Sequence, residues 1–120
     1  MFKIISEEPN LLAIQGSGSL SILDYKDVMP KIEKYIQGNK EANFVIDVRD
    51  VSGITTEAII EDFKFSHKYC GKFGRIAIIG KKSWMDSLIE MSSKLSKAEI
   101  KHFLPKDEFM AFDWAKGIGE

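Results

Sequence analysis

Residues 44–49 read Phe-Val-Ile-Asp-Val-Arg, and this stretch decides the fold class. β-Branched and aromatic residues dominate it, which is typical of a β-strand. Alternate residues of a strand point to opposite faces of the sheet, so Phe, Ile and Val share one face and Val, Asp and Arg share the other. A strand covered by helices on both faces is more uniformly apolar. We therefore expect helices mostly on one face of the sheet, with the other face only partly covered.

Helical patterns lie on both sides of this strand. Upstream, the apolar residues of 21–37 recur at helical spacing. Ser21 is placed to cap this helix, and Asp24 three residues later forms a capping box with it. Pro30 interrupts the pattern and is expected to bend the helix or to leave one carbonyl unpaired. Downstream, residues 56–69 predict a second helix. Strands separated by helices favour right-handed crossovers and a mainly parallel sheet.

The rest of the chain extends this alternation to β-β-α-β-α-β-α-β-α. The segments outside the central region are a hairpin of two strands, two later strands, and two helices that begin at Ser83 and Asp107, the strands spanning residues 2–6, 11–15, 75–79 and 99–104. We expect an α/β domain over residues 1–120, with a mixed, mainly parallel sheet of about five strands and four helices. The first strand should be antiparallel to its neighbour. Residues 16–19 and 50–55 are predicted to be loops.

Composition excludes several classes of function. The chain has 120 residues with 17 basic and 18 acidic side chains and a net charge of −1, so it lacks the basic excess typical of nucleic-acid-binding proteins. Apolar runs reach only four residues, which predicts no transmembrane segment. Cys70 is the single cysteine, which suits a reducing compartment and predicts a cytoplasmic protein. His67 and Cys70 are too few ligands for a zinc site, and no catalytic constellation or cofactor motif is evident. We expect a binding module rather than an enzyme.

The order and spacing of many residues resemble the SpoIIAA-like family, whose fold is that of the STAS domains of anti-sigma-factor antagonists. The matching positions run through nearly the whole chain: Gly16, Asp24-Tyr25, Pro30, 44–48, 61–63, 75–80, Trp84, Ala98-Glu99, Phe103, Ala111 and Trp114. The resemblance implies a STAS-type sheet and a regulatory module that acts through association with a protein partner or with itself. STAS-like sheets also resemble the lipid-binding fold of CRAL-TRIO domains. That likeness favours an alternative, a carrier of a small apolar or lipid-like ligand in a cavity between helices and sheet.

The segment after the central strand is the first candidate site. Residues 50–56 read Asp-Val-Ser-Gly-Ile-Thr-Thr, between a strand end and a helix N-terminus, where free N–H groups favour an anion. The hypothesis is an anion or phosphoacceptor loop formed by Ser52, Gly53, Thr55 and Thr56. The alternative is that a threonine caps the helix and Ser52-Gly53 forms a turn. Signalling members of the family carry a phosphorylatable serine here in an Asp-Ser-Ser-Gly-like motif, and this chain lacks the acidic-serine pair.

The second helix is the other candidate. Its apolar arc is wider than the stripe that packing on a sheet requires, and Phe65 and Tyr69 lie on the outer part of that arc. Three partners could cover them: a neighbouring helix of the same domain, a second subunit, or an apolar ligand. If the partner is a second subunit, Phe65 and Tyr69 are the candidate interface of a twofold homodimer.

Overall fold

The computed structural model describes residues 1–38, 42–68, 73–81 and 99–117. The strands are β1 Phe2–Glu8, β2 Leu11–Leu20, β3 Ala42–Ile54, β4 Phe73–Ile79 and β5 Glu99–Phe103. The helices within these ranges are α1 Ile22–Gly38, α2 Thr56–Lys68 and α3 Glu108–Ala115, the last preceded by a 3-10 turn at Pro105–Asp107. The predicted helix that begins at Ser83 lies outside the described residues.

The five strands form one mixed sheet in the order β1-β2-β3-β4-β5. β1 and β2 form an antiparallel hairpin, whereas β2, β3, β4 and β5 run parallel to their neighbours. Pro9 and Asn10 lie between β1 and β2, as predicted from their preference for turns. The predicted fold class and strand directions are therefore confirmed.

The two faces of the sheet carry separate apolar clusters. Phe44 packs with residues of α1 such as Val28 and Ile36 on one face. Val45, its neighbour in β3, packs with Ala111 and Ala115 of α3 on the other face. α2 contacts α1 and so covers the same face as that helix. Two of the three described helices thus share a face, and α3 covers part of the opposite one, as the mixed face of residues 44–49 predicts.

β2 and β3 are both longer than the sequence suggests. The prediction of loops at residues 16–19 and 50–55 is wrong for most of both segments, because β2 continues to Leu20 and β3 to Ile54. The two extensions pair with each other in parallel, for example Ser17 with Asp50 and Leu20 with Ile54. Two irregularities in this register accommodate the extra length, and Gly18 beside one of them has φ +68°, a conformation that glycine adopts readily.

The start of α1 shows one arm of the predicted capping box. The carboxylate of Asp24 accepts hydrogen bonds from the backbone N–H of Ser21 at 2.8 Å and from its hydroxyl at 3.1 Å. The backbone hydrogen bond is the main cause of a lowered pKa for Asp24. Pro30 lies inside the helix, as predicted. This capped start of α1 lies beside the end of β2, at the same end of the sheet as the start of α2.

Candidate functional site

The carboxyl ends of β2 and β3 and the starts of α1 and α2 form an exposed surface at one end of the sheet. We call it the carboxyl-end surface and define it by six exposed residues, Ser17, Ser19, Leu23, Ser52, Thr55 and Thr56. Leu23 has 73% of its surface exposed. Apart from Gly53 itself and its two chain neighbours, no heavy atom lies within 4 Å of the position that a Cβ would take at Gly53. The surface combines hydroxyl groups with one exposed aliphatic side chain on a backbone held by strand pairing.

The four residues of the first candidate site all lie at this end of the sheet. Ser52 and Gly53 belong to β3 rather than to a loop, Thr55 joins β3 to α2, and Thr56 is the first residue of α2. The hydroxyl of Thr55 accepts a hydrogen bond from the backbone N–H of Ala58 at 3.2 Å. Its own N–H donates to the carbonyl of Leu20 at 3.0 Å. The capping role that the sequence left open for a threonine is therefore confirmed for Thr55, whereas anion binding stays a prediction.

On the opposite face, Asp47 and Arg49 form the ion pair that their shared face predicted. Asp47 is buried, and both of its carboxylate oxygens accept hydrogen bonds from Arg49 Nε at 3.0 and 2.9 Å. Arg49 also reaches Glu108 of α3 at 3.3 Å. The Asp47 carboxylate is the main cause of a raised pKa for Arg49. The contact between Arg49 and Glu108 links α3 to the sheet. A structural ion pair is therefore sufficient to explain the charges of Asp47 and Arg49.

A cavity of about 100 Å³ lies between α1, α2 and the sheet, and we call it the α1–α2 cavity. Its walls are almost entirely apolar and include Phe2, Ile14, Val28, Ile46 and Phe65. Tyr25 also lines the cavity, and its ring packs edge-on against Phe2 with centroids 5.1 Å apart. The sequence-based alternative of a cavity between helices and sheet therefore has a physical counterpart in the fold.

Asp62 of α2 is the one carboxylate among the residues that line this cavity in the described part of the chain. Burial raises its pKa to about 6. Burial also raises the pKa of the Tyr25 phenol, with further contributions from the carboxylates of Asp62 and Asp24. Asp62 is half-buried and, within the described residues, has no hydrogen bond or ion pair. No fully buried side-chain oxygen in those residues lacks a partner, so the carboxylate of Asp62 reaches solvent. A carboxylate thus lines the apolar α1–α2 cavity at a position that solvent also reaches.

Sequence reasoning missed Asp62, although a signal was present. At about 100° per residue, Asp62 lies about 60° from Ile59, inside the apolar arc of α2 and away from the polar strip of Glu61, Lys64 and Lys68. A carboxylate inside an apolar arc indicates either a buried polar contact within the domain or a ligand-binding site. Phe65, predicted as a candidate interface residue, is half-buried, packs against the cluster of α1 and the sheet, and lines the α1–α2 cavity. Its predicted partner Tyr69 lies outside the described residues.

Comparison with known proteins agrees with this fold. The family model described as SpoIIAA-like matches residues 11–116. The chain belongs to the SpoIIAA-like family. No curated protein matches it. Within the described residues, no helix is long and apolar enough to span a membrane, and no three histidine, cysteine or acidic side chains cluster as metal ligands.

Three solved structures place this SpoIIAA-like chain among its structural relatives. An uncharacterised Shewanella loihica protein with a SpoIIAA-like fold is 26% identical with a TM-score of 0.75, over 96% of this chain and 92% of that one. The anti-sigma factor antagonist SpoIIAA in its unphosphorylated form is 15% identical with a TM-score of 0.65. The alignment covers 98% of this chain and 100% of that one. Phosphorylated SpoIIAA, a Bacillus cell fate determinant, is 12% identical with a TM-score of 0.58. The alignment covers 93% of this chain and 99% of that one.

Proposed function

We propose that this SpoIIAA-like chain is a non-catalytic regulatory module of the cytoplasm that binds another protein through its carboxyl-end surface. Two considerations support the proposal. SpoIIAA, which shares the fold, is described as an anti-sigma factor antagonist and has been solved both with and without phosphate. In this chain, exposed residues at the carboxyl ends of β2 and β3 supply several hydroxyl groups that can form hydrogen bonds. The proposal depends mainly on one observation, the exposure of the six residues that define the carboxyl-end surface.

The chemistry of the carboxyl-end surface suits a protein partner. Its hydroxyl groups both donate and accept hydrogen bonds, and Leu23 offers an aliphatic contact that is 73% exposed. Protein interfaces combine an apolar centre with polar groups around it. The backbone that presents these side chains is anchored by the pairing of β2 with β3 and by the cap at Thr55. A partner would therefore meet a surface that needs little ordering before binding, which favours affinity.

Affinity capture from an extract of the native host tests this proposal. The bait variant carries Leu23→Ser together with Thr56→Glu; an acidic residue in the first turn of α2 is compatible with the helix dipole. The matched control is Phe109→Ser, which removes another exposed apolar side chain, 82% exposed, from α3. We expect at least one protein to be retained by the wild type and the control and to be depleted about tenfold or more on the variant, as for loss of an interface anchor. Retention that is equal on all three baits, or absent from all three, contradicts the proposal.

The α1–α2 cavity supports a second candidate function, the binding of a small ligand. Most ligand pockets have volumes of about 300–1,000 Å³, so a cavity of about 100 Å³ limits the occupant to a small molecule. The apolar walls favour a hydrocarbon body, as the carrier hypothesis expects. Such a ligand would lie between α1 and α2, whose starts belong to the carboxyl-end surface, so partner binding and ligand binding are compatible functions.

Self-association through α2 stays a prediction. Phe65 packs within its own domain, so this side chain is already largely engaged. A twofold contact on α2 would have to use outward-facing residues such as Ile60, which is 48% exposed. Polar replacement of Phe65 is accordingly expected to destabilise the domain as well as any dimer.

A further inference from the structure

The carboxylate of Asp62 gives the α1–α2 cavity a chemical preference as well as a size. It lies among apolar walls and, within the described residues, has no hydrogen bond or ion pair. Asp62 is half-buried, and a carboxylate that lies against apolar walls loses part of its hydration, so a complementary charge from a ligand would stabilise its ionised form. The aromatic rings of Phe2, Tyr25 and Phe65 also line the cavity, and aromatic faces attract cations rather than anions. The electrostatic features of the cavity therefore favour a cationic group.

We propose that the α1–α2 cavity binds a small hydrophobic amine whose ammonium group pairs with the Asp62 carboxylate. This inference rests on the small-ligand binding described above as the second candidate function and adds the chemical class of the ligand. The apolar walls take the hydrocarbon body and Asp62 takes the charge. An engineered apolar cavity of about 150 Å³ holds benzene, so about 100 Å³ suits a hydrocarbon body of about four non-hydrogen atoms. Carboxylate ligands of the same size are disfavoured, because they would place a second negative charge beside Asp62.

The titrating groups around the cavity make the inference testable by pH. Among the lining residues in the described part of the chain, only Asp62 and Tyr25 titrate; β1, β2 and β3 contribute apolar side chains to the wall. The raised pKa of Tyr25 keeps its phenol neutral below pH 10. Asp24 lies on α1 outside the wall, where its bonds to Ser21 hold it ionised. Between pH 5.0 and 7.5, Asp62 is therefore the group in and around the cavity that changes charge.

Calorimetric titration of the full chain with two matched probes tests the proposal. The probes are isobutylamine, which is protonated throughout this pH range, and isobutyl alcohol, which has the same shape without the charge. With a pKa of about 6, Asp62 is roughly one-tenth ionised at pH 5.0 and almost fully ionised at pH 7.5. We expect the wild type to bind the amine about tenfold more tightly at pH 7.5 than at pH 5.0. The affinity for the alcohol should be the same at both pH values.

Two variants complete the design. Asp62→Asn keeps the shape of the side chain and removes its charge, so it should lose at least tenfold in amine affinity at pH 7.5 and retain the affinity for the alcohol. Glu61→Gln removes the same charge from the adjacent position and should behave as the wild type. Equal binding of amine and alcohol at pH 7.5 would overturn the assignment of an amine but leave small-ligand binding intact. If neither probe binds, both the assignment of an amine ligand and the proposed ligand-binding function are wrong. Because the pH comparison uses the wild type, the test does not depend on the variants.

Discussion

At the scale of single residues, Asp62 departs most from what its position would suggest. The neighbouring residues on its side of α2 pack toward α1 and the sheet, and a carboxylate there loses hydration without gaining a protein partner in the described part of the chain. The rise of its pKa from 3.8 to about 6 corresponds to a cost of about 3 kcal/mol for the ionised form in the folded state. Such a cost is tolerated more easily at a functional site than in a core.

Asp62→Asn should therefore change the pH dependence of folding. In the folded wild type, Asp62 keeps its proton to about pH 6, whereas the unfolded chain releases it near pH 4. Stability attributable to Asp62 is thus greatest below pH 4 and falls as the pH rises to 6. Relative to the wild type, the free energy of unfolding of Asp62→Asn should increase by up to about 3 kcal/mol between pH 4 and pH 7. Urea unfolding at several pH values measures this difference.

Glu61→Gln is the matched control, because Glu61 lies one residue away on the polar strip of α2 and pairs with Lys64 at 3.9 Å. The difference in free energy of unfolding between Glu61→Gln and the wild type should change little between pH 4 and pH 7, since exposed ion pairs contribute at most about 1 kcal/mol. A pH profile for Asp62→Asn that runs parallel to the wild type would show that Asp62 is not the desolvated group.

At the scale of secondary-structure elements, the sequence predicted the type and order of every described strand and helix but placed the ends of β1, β2 and β3 too early. Gly16, Gly18 and Gly53, together with three serines, have the composition of loops, and local propensity alone gives no reason to continue β2 and β3 through them. The extensions exist because each strand supplies the hydrogen-bonding partner of the other, as Ser19 and Gly53 do. Pairing between segments distant in sequence is not encoded in either segment alone.

The start of α2 was read more accurately, because capping depends on local sequence. Thr55→Ala removes the hydroxyl that accepts from the N–H of Ala58 and should destabilise the domain by about 1 kcal/mol. Thr56→Ala is the matched control, since Thr56 is exposed and lies within the first turn; it should change stability by less than about 0.5 kcal/mol. Chemical denaturation monitored by circular dichroism compares the two. Equal effects of the two substitutions would contradict the assignment of Thr55 as the cap.

At the scale of the whole molecule, the alternating order of strands and helices was sufficient to predict the sheet. Separation of the later strands by helices implied parallel pairing, and the single hairpin implied one antiparallel strand; both are confirmed. The candidate site was predictable only in part. Thr55 and the Asp47–Arg49 pair depend on local spacing, whereas the α1–α2 cavity is formed by residues from five elements. A space between packed elements depends on how side chains from distant segments meet, and periodicity within one segment does not report it.

The central claim, that the chain binds another protein at its carboxyl-end surface, is tested most directly by native mass spectrometry of the protein isolated from its own host. The account predicts a species containing this chain together with a second, different polypeptide. That species should persist in Phe109→Ser and disappear in the variant that carries Leu23→Ser with Thr56→Glu. Detection of this chain alone or only with copies of itself, in the wild type as in both variants, would contradict the claim.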